Sequence, residues 1–303
     1  MWRRIADWGI HSPRALAVAD WLGRGRGRYR FLDHVLAHGE TPLHRPDFST
    51  WEKSPLAAAW IGHATVLLRL GGKTILTDPV MGARVGLGLG LATGGPARLV
   101  APALRLAELP KLDLILISHA HFDHLDRPTL ARLPKTVPVI TAAGTRDLID
   151  DLGFTNVTEL KWGEIARIDN LLIRAWEVRH WGARTHRDQQ RAACSFLLEA
   201  EGKRILFGGD TAFGRHFVPA GKVNLAVLGI GAYNPWVGGH ATPEQAWCMA
   251  DEMGADFVLP MHHSTFRLSR EPMSEPIARL RDIAGRDWER VIASAIGQSW
   301  SMN

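Results

Sequence analysis

The sequence predicts an α/β fold in which two β-sheets pack face to face and helices cover their outer faces. With 303 residues and 46% hydrophobic side chains, the chain can bury a large core. Short apolar runs typical of buried strands recur at 112–117, 171–173, 204–207 and 257–259. Histidine or aspartate residues follow these runs, and strand ends gathered at one edge of a sheet are where such folds place active sites.

Composition sets the first residues apart and predicts an N-terminal arm over 1–45, followed by a catalytic domain over 46–303. The spacing of the apolar residues predicts an amphipathic helix that begins at Ser12 and is ended by Gly23, and an arginine-rich segment follows. The arm also contains the tryptophans Trp2, Trp8 and Trp21. Two interpretations stay open: the arm docks on the domain or a partner subunit, or residues 1–30 contact an anionic membrane surface.

The most informative segment is His119-x-His121-x-Asp123-His124, directly after the first apolar run. Because residues two apart on a strand point to the same side, His119 and His121 can converge on one cation. Asp123 and His124 would begin a helix and point toward a neighbouring cation, with Asp126 as the N-cap. The alternative is a polar loop rich in histidine, which the apolar flanks disfavour because unpaired buried imidazoles are costly.

This string is typical of the metallo-β-lactamase superfamily, and the chain resembles bacterial relatives of N-acylphosphatidylethanolamine-hydrolysing phospholipase D from about Trp60 to its C-terminus. The further motifs are Trp60-Ile61-Gly62-His63-Ala64-Thr65, Leu76-Thr77-Asp78-Pro79, Phe207-Gly208-Gly209-Asp210-Thr211 and Gly231-Ala232-Tyr233-Asn234-Pro235. The resemblance implies a four-layer αββα sandwich. The more distant ascorbate-phosphate lactonases share the metal string and stay an alternative.

The resemblance also implies a site for two divalent metal ions. His119, His121 and His180 would hold the first cation, Asp123, His124 and His262 the second, and Asp210 would bridge them. Zinc is the first choice by resemblance, and iron, manganese and nickel accept the same donors. Two such cations lower the pKa of a shared water toward neutrality, so that hydroxide can attack a phosphorus or carbonyl centre.

Four further residues receive roles from the same resemblance. Asp78 would orient a ligand or the nucleophile from behind the ligands. His240, in a loop ahead of a helix that begins near Pro243, would lie close to the substrate. Arg184 matches a basic position that could contact a phosphate, with a solvated surface arginine as the equal alternative. Tyr233 is the other candidate substrate contact.

The remaining histidines are interpreted as ordinary or supporting residues. His63 belongs to a turn where the family has a histidine that is not a ligand, so its role would be structural or behind the ligands. Of the adjacent pair, the resemblance selects His262 as the ligand and leaves His263 to pack or form a hydrogen bond nearby. No partner pattern surrounds His11, His34, His38, His44, His186 or His216.

The longest apolar stretch, Val85 to Ala97, is too short and too rich in glycine to cross a membrane. No Lys-Ser or Lys-Thr follows its glycines, which disfavours a phosphate-binding loop. We expect a flexible loop near the metal site that contacts the substrate. Cys194 and Cys248 lie outside the ligand positions and form no disulfide framework, which favours a cytoplasmic protein, including one peripheral to the inner membrane surface.

The sequence therefore predicts a dinuclear metal-dependent hydrolase that acts on a phosphodiester, in the manner of phospholipase D. The net charge of +5 fits an anionic small-molecule or lipid-derived substrate, and no base-reading module for nucleic acid is visible. The segment 234–239 lacks the basic residue that the family commonly has before its tryptophan, so the phospholipid itself is not implied.

Three alternative functions compete with this prediction. A lactonase or other ester hydrolase would use the same hydroxide, since the fold does not determine the substrate. A non-enzymatic metal-binding scaffold would need a broken ligand set, whereas this set is complete. A β-lactamase is disfavoured because no cysteine stands at a ligand position. A homo-oligomer formed through the arm is compatible with the sequence.

Overall fold

A computed structural model describes residues 39–89 and 92–302 of the chain. The helix predicted after Ser12 and the tryptophans of the arm lie outside the described residues. The last residues of the predicted arm are described, and there the main chain of Glu40 pairs with Val100. The division of the chain at residue 45 stays a prediction.

Two large sheets and three α-helices make up most of the described chain. The strands are β1 (Leu56–Gly62), β2 (Thr65–Leu70), β3 (Lys73–Thr77), β4 (Leu87–Leu89), β5 (Ala92–Gly94), β6 (Leu114–Ile117), β7 (Val139–Ala142), β8 (Val157–Leu160), β9 (Ile165–Ile168), β10 (Leu171–Trp176), β11 (Ser195–Ala200), β12 (Lys203–Phe207), β13 (Leu225–Gly229), β14 (Phe257–Met261) and β15 (Ser299–Ser301). The α-helices are α1 (Arg127–Arg132), α2 (Pro243–Glu252) and α3 (Glu275–Ala284). Short 3₁₀ helices occupy Trp51–Lys53, Leu106–Glu108, Arg146–Leu148, Asp150–Leu152, Val218–Ala220 and Gly285–Arg290.

The first sheet has seven strands in the order β15-β1-β2-β3-β6-β7-β8, and the second has six in the order β14-β13-β12-β11-β10-β9. Strands β3, β6, β7 and β8 are parallel, as are β12, β13 and β14. Antiparallel pairing through β2 gives β1 the same direction as β3, and pairing through β11 gives β10 the same direction as β12. The carboxyl ends of these strands therefore meet at one edge of each sheet.

Alternating side chains of β1 show how the layers form, since every residue of this strand is buried. Trp60 and its neighbours two and four residues back pack into the core between the two sheets. Ile61 packs on the opposite face, in a second core that includes Leu130 of α1. A third core places Leu280 of α3 against the outer face of the second sheet. One core between the sheets and one on each outer face confirm the predicted four-layer αββα sandwich. Strands that are apolar on both sides need such cover on both faces of their sheet.

The helix starts near the site follow ordinary capping chemistry. The Asp126 carboxylate accepts a hydrogen bond from the Thr129 amide at 3.2 Å, which confirms the predicted N-cap of α1. The predicted start at Asp123 is wrong: the chain forms a turn there, in which the Leu125 amide donates to the His121 carbonyl at 2.8 Å, and the helix begins at Arg127. Thr242 caps α2, which begins at Pro243 as predicted.

The glycine-rich stretch from Val85 to Ala97 contains a hairpin where we expected a flexible loop. Strands β4 and β5 pair in antiparallel fashion. A Cβ atom at Gly86 would lie 2.3 Å from the Gly94 carbonyl oxygen, and one at Gly95 would lie 2.0 Å from the Val85 carbonyl oxygen. Glycine is therefore required for the close approach of the two chain segments. Contact of this hairpin with the substrate stays a prediction. No helix among the described residues is long and apolar enough to span a bilayer.

Candidate metal centre

The strand ends that share one edge bring the predicted site residues together. His63 follows β1, Asp78 follows β3, the segment from His119 to His124 follows β6, His180 follows β10, Asp210 follows β12, and His262 follows β14. All seven predicted metal ligands lie in groups of side chains whose candidate ligand atoms are within 4.8 Å of one another. Residues far apart in the sequence thus form one buried cluster of imidazoles and carboxylates.

The first group contains His119, His121, His180 and Asp210. The His121 Nδ1 atom lies 2.9 Å from His119 Nε2 and 3.2 Å from His180 Nε2. Both of those Nε2 atoms lie 3.8 Å from Asp210 Oδ2. Four donors at about 2.1 Å from a tetrahedral zinc ion are roughly 3.4 Å apart, so this group has the spacing of a metal site.

The second group contains His63, Asp123, His124 and His262. The Asp123 Oδ2 atom lies 3.4 Å from His262 Nε2 and 3.7 Å from His124 Nε2. The Asp210 Oδ2 atom approaches the same two nitrogens, at 3.2 Å from His262 and 3.1 Å from His124. One carboxylate oxygen of Asp210 therefore lies within reach of both groups, where a bridging ligand would stand.

The donor atoms of this cluster fit cations better than they fit one another. Asp210 Oδ1, His124 Nε2 and His262 Nε2 are buried and have no hydrogen-bond partner among the described residues. Buried polar atoms are nearly always paired, because an unsatisfied one carries its full desolvation cost. Imidazole and carboxylate donors are ligands of zinc and of other divalent transition metals. The cluster is thus chemically suited to hold such ions.

Charges within the cluster shift its pKa values in opposite directions. Burial lowers the pKa of His119 well below its ordinary value, with the neighbouring imidazoles adding to the effect. Burial would also lower the pKa of His262, but Asp210 and Asp123 raise it to about 9. Burial would raise the pKa of Asp210, but the surrounding histidines, His124 first, hold it well below the ordinary range. The Asp210 carboxylate is thus favoured in its ionised form, which favours a positive charge beside it.

Asp78 lies behind the predicted ligands and contacts the residues that carry them. It is fully buried, and its Oδ2 atom lies 2.6 Å from His124 Nδ1. The Ser118 amide donates to Asp78 Oδ1 at 2.7 Å, and the Ser118 hydroxyl donates to Oδ2 at 2.6 Å. The Ser118 Oγ atom also lies 2.9 Å from His119 Nδ1. Hydrogen bonds of this kind fix the tautomer and the ring orientation of metal-ligating histidines.

Ser118 is a site residue that the sequence reasoning missed. The only indication in the sequence is its position between strand β6 and His119, the first predicted ligand. Its hydroxyl needs Asp78 as a partner, and that contact spans forty positions of the chain. Spacing within the metal string could not reveal it.

His240 stands beside the cluster on its more accessible side. Its Nδ1 atom lies 3.7 Å from Asp210 Oδ2, and its side chain is 16% exposed. The Gly239 carbonyl before it lies 2.9 Å from His180 Nδ1, which positions that ring. Burial lowers the pKa of His240 to about 3, so its imidazole is neutral near pH 7. His240 also belongs to a third group of candidate donors, with Asp210 and His262.

The two supporting histidines occupy different places. His63 Nε2 lies 2.9 Å from Asp123 Oδ2, so the His63 ring contacts a predicted ligand. His63 also belongs to the second donor group, together with Asp123. The structure places His262 in the cluster, whereas His263 packs on Trp60 with ring centroids 4.5 Å apart. The Nδ1 atom of His263 lies 2.8 Å from the Ser264 hydroxyl.

Arg184 braces the metal-binding loop. Its Nε atom donates to the Ala120 carbonyl at 2.9 Å, and its Nη2 atom donates to the Leu125 carbonyl. Its guanidinium lies 4.2 Å from the centre of the Phe122 ring. Arg184 is partly buried, and burial lowers the pKa of its guanidinium to about 9. Contact with a phosphate stays a prediction.

Tyr233 is buried, and its hydroxyl donates to Glu275 Oε1 at 2.7 Å. The Arg279 guanidinium lies 4.9 Å from the centre of its ring. These contacts join the loop after β13 to helix α3. A contact between Tyr233 and the substrate stays a prediction.

Comparisons with known proteins agree with this geometry. A family model, the beta-lactamase superfamily domain, matches residues 73–263, which include all seven predicted ligands. An uncharacterized protein of Mycobacterium tuberculosis is 33% identical over 271 residues, covering 85% of this chain and 72% of that protein. N-acyl-phosphatidylethanolamine-hydrolyzing phospholipase D 1 of Caenorhabditis elegans is 31% identical over 276 residues, covering 83% of this chain and 76% of that enzyme.

Solved structures show the same architecture. The crystal structure of a possible metal-dependent hydrolase from Veillonella parvula gives a TM-score of 0.67 at 16% identity. The match covers 82% of this chain and all of that one, at 100%. At this identity the likeness concerns the fold alone.

Proposed function

Since the chain belongs to the beta-lactamase superfamily, as a metal-dependent hydrolase, we propose that it hydrolyses a phosphodiester with two divalent cations held by the cluster. The observation that carries the proposal is the Asp210 Oδ2 atom, which lies 3.1 Å from His124 Nε2 and 3.8 Å from His119 Nε2. One carboxylate oxygen that faces both donor groups is the arrangement expected of a ligand shared by two neighbouring cations.

The residues around the cations would have distinct roles. When bound, the cations would act as Lewis acids and lower the pKa of a bound water toward neutrality. Asp210 would contribute negative charge to both positions and fix their separation. Asp78 would hold the His124 ring with its Nε2 lone pair toward the site. His240, neutral and partly exposed, would exchange a hydrogen bond with an oxygen of the substrate.

The similarity to a phospholipase D supports a phosphodiester as the substrate. The net charge of +5 is compatible with an anionic molecule, including one derived from a lipid. We further propose zinc as the metal, with iron, manganese or nickel as alternatives. A cytoplasmic location, docking or membrane contact by the arm, and a homo-oligomer belong to the same proposal.

Hydrolysis of a lactone or another ester is the second candidate function. The loop 234–239 has Trp236 and Val237 exposed beside the site, where the resemblance leads one to expect a basic residue. Two donors of Arg184 are already used by main-chain carbonyls. A substrate with less negative charge would need no contact from Arg184 or from a basic residue in the loop 234–239. A paired assay of the metal-loaded protein on a chromogenic phosphodiester and on a lactone panel separates the two candidates directly.

We expect the purified protein to carry close to two metal ions per chain and to lose hydrolytic activity on chelation. The two donor groups share Asp210, so the ions support each other's binding. Elemental analysis and activity should be measured on the same preparation, before and after chelation and after metal is restored. An active enzyme with one ion or none per chain would rule out the two-metal mechanism.

We expect His262→Ala to lower occupancy of the second metal position and to depress turnover strongly, whereas His263→Ala should keep its metal. The reason is that His262 Nε2 faces Asp123 and Asp210, while the His263 ring packs on Trp60. Because both rings are buried next to each other, the pair is its own matched control. Metal content of both variants is the measurement, and the reverse result would mean that the ligand assignment is displaced by one residue.

A further inference from the structure

We infer that Thr211 is a positioning residue that, together with His216, holds His180, Asp210 and His240 in register by joining the loops that carry them. The inference rests on the proposed metal site. Neither Thr211 nor His216 belongs to the donor groups described above, so we infer that both act through the neighbouring predicted ligands.

The main chain and hydroxyl of Thr211 connect three segments. Its Oγ1 atom accepts a hydrogen bond from the Arg179 amide at 3.0 Å, directly before His180. Its carbonyl accepts one from the Ala241 amide at 2.8 Å, directly after His240. Thr211 itself follows Asp210 in the chain. A displacement of Thr211 therefore moves three groups of the site at once.

The hydrogen-bonding capacity of the Thr211 hydroxyl is fully used. A hydroxyl has one proton to donate and two lone pairs to accept. It donates to the Ala212 carbonyl at 3.0 Å and accepts from the Arg179 amide. The second lone pair faces His216 Nε2 at 3.1 Å, so that nitrogen carries the proton and donates. Full use of the group fixes the direction of all three bonds.

His216 is itself held from behind. Its carbonyl accepts a hydrogen bond from the Trp176 indole at 2.8 Å, at the end of β10. A Cβ atom on Gly214 would lie 2.7 Å from His216 Nδ1, so only glycine leaves room for the ring in this place. The Thr211 hydroxyl is thus connected through His216 to the strand that leads to His180.

This arrangement matters because metal sites tolerate little error in ligand position. Donor distances must lie within about 0.2 Å of their ideal values, and partners behind the ligands affect metal affinity about 10- to 100-fold. The Thr211 side chain is 7% exposed, so water cannot easily replace its bonds. Loss of the hydroxyl leaves the Arg179 amide and the Ala212 carbonyl without their partner.

The test compares Thr211→Val and Thr211→Ser in the full chain, using Co²⁺ alone as the probe. We expect Thr211→Val to weaken Co²⁺ binding about 10- to 100-fold, to alter the visible absorption of the bound ion, and to lower kcat more than it raises KM. We expect Thr211→Ser to keep the affinity and spectrum of the unmodified chain, because it keeps the hydroxyl.

Thr141→Val is the matched control. Thr141 is a fully buried threonine in β7, and its hydroxyl lies 2.5 Å from that of Thr145, outside the loops that carry the ligands. This variant should lower Tm while leaving the Co²⁺ affinity and spectrum unchanged. The comparison distinguishes a general loss of stability from a displacement of the predicted metal ligands.

Two results would overturn the inference. One is a folded Thr211→Val that binds Co²⁺ with unchanged affinity and spectrum, and the other is a Thr211→Ser as impaired as Thr211→Val. If Thr211→Val does not fold, His216→Phe is the second test. This variant replaces the imidazole by a phenyl ring, which removes the Nε2 donor but keeps the hydrogen bond from the Arg179 amide to Thr211. Co²⁺ binding should then weaken several-fold, and unchanged binding would refute the inference. If the unmodified chain binds no Co²⁺, the proposed metal site fails first, which distinguishes the two failures.

Discussion

Asp210→Asn is expected to lower turnover of a phosphodiester by about a hundredfold or more while the chain stays folded. Asparagine keeps the shape of the side chain and removes its charge. The Asp210 Oδ2 atom lies within 3.8 Å of ring nitrogens of His119, His124 and His262. Without the charge, the two proposed cations would repel each other with less compensation, so the site would hold them less firmly and a water between them would lose one of its two Lewis acids. The loss should exceed that of any single histidine variant.

The measurement is turnover, circular dichroism and metal content on one preparation of Asp210→Asn, beside His119→Ala and His180→Ala. Asp113→Asn serves as a control for removal of a carboxylate. The Asp113 side chain accepts a hydrogen bond from the Thr74 amide at 2.8 Å, before β6 begins and so at the opposite edge of the sheet. A folded Asp210→Asn that hydrolyses at a rate near that of the unmodified chain would show that Asp210 does not bridge the metals.

The parts of the site that the sequence predicted follow from local geometry. Alternation along a strand sets the direction of His119 and His121, and an apolar run sets where the strand ends. Parallel strands deliver their carboxyl ends to one edge, so Asp210 and His262 could be expected near the metal string without knowledge of the contacts. The family resemblance then assigned each of these residues to a position, and the structure brings all of them together.

The parts that the sequence could not predict depend on contacts between distant segments. The hydrogen bond from His63 to Asp123 spans sixty positions, and nothing in the turn that carries His63 indicates its partner. The start of α1 was misplaced because Asp123 and His124 favour a turn in which the His121 carbonyl accepts two amide hydrogen bonds. Capping by Asp126 competes with an earlier start and prevails. Helix propensity alone does not predict which of two such local hydrogen-bond patterns the chain adopts.

Arg184 illustrates the same limit for a charged side chain. Its pattern in the sequence is equally suited to a phosphate contact and to surface exposure. The structure gives it a third role, because the carbonyls of Ala120 and Leu125 need donors inside a loop that also carries four predicted ligands. Main-chain groups that are left unpaired by an irregular loop must find partners, and those partners are invisible in the sequence.

Asp78→Asn is expected to weaken binding of the second cation about 100-fold and to lower turnover by a similar factor. The Asp78 carboxylate accepts three hydrogen bonds, two from Ser118 and one from His124 Nδ1. If the amide oxygen of asparagine keeps the Ser118 amide, its NH₂ group faces His124 Nδ1 and donates to it. The imidazole proton then sits on His124 Nε2, which faces Asp210 and can no longer bind a metal.

Nitrogen-15 NMR of the histidine rings and metal content are the two measurements for Asp78→Asn, and Ser118→Ala is the matched control. Ser118→Ala removes the hydroxyl that donates to Asp78 Oδ2 but keeps the carboxylate and the Ser118 main-chain amide, so His124 should retain its tautomer and most of its metal. Asp78→Asn, unlike Ser118→Ala, removes the carboxylate oxygen that lies 2.6 Å from His124 Nδ1 and accepts its proton. An Asp78→Asn chain with two metals and an unchanged His124 tautomer would show that orientation of this ring comes from elsewhere in the site.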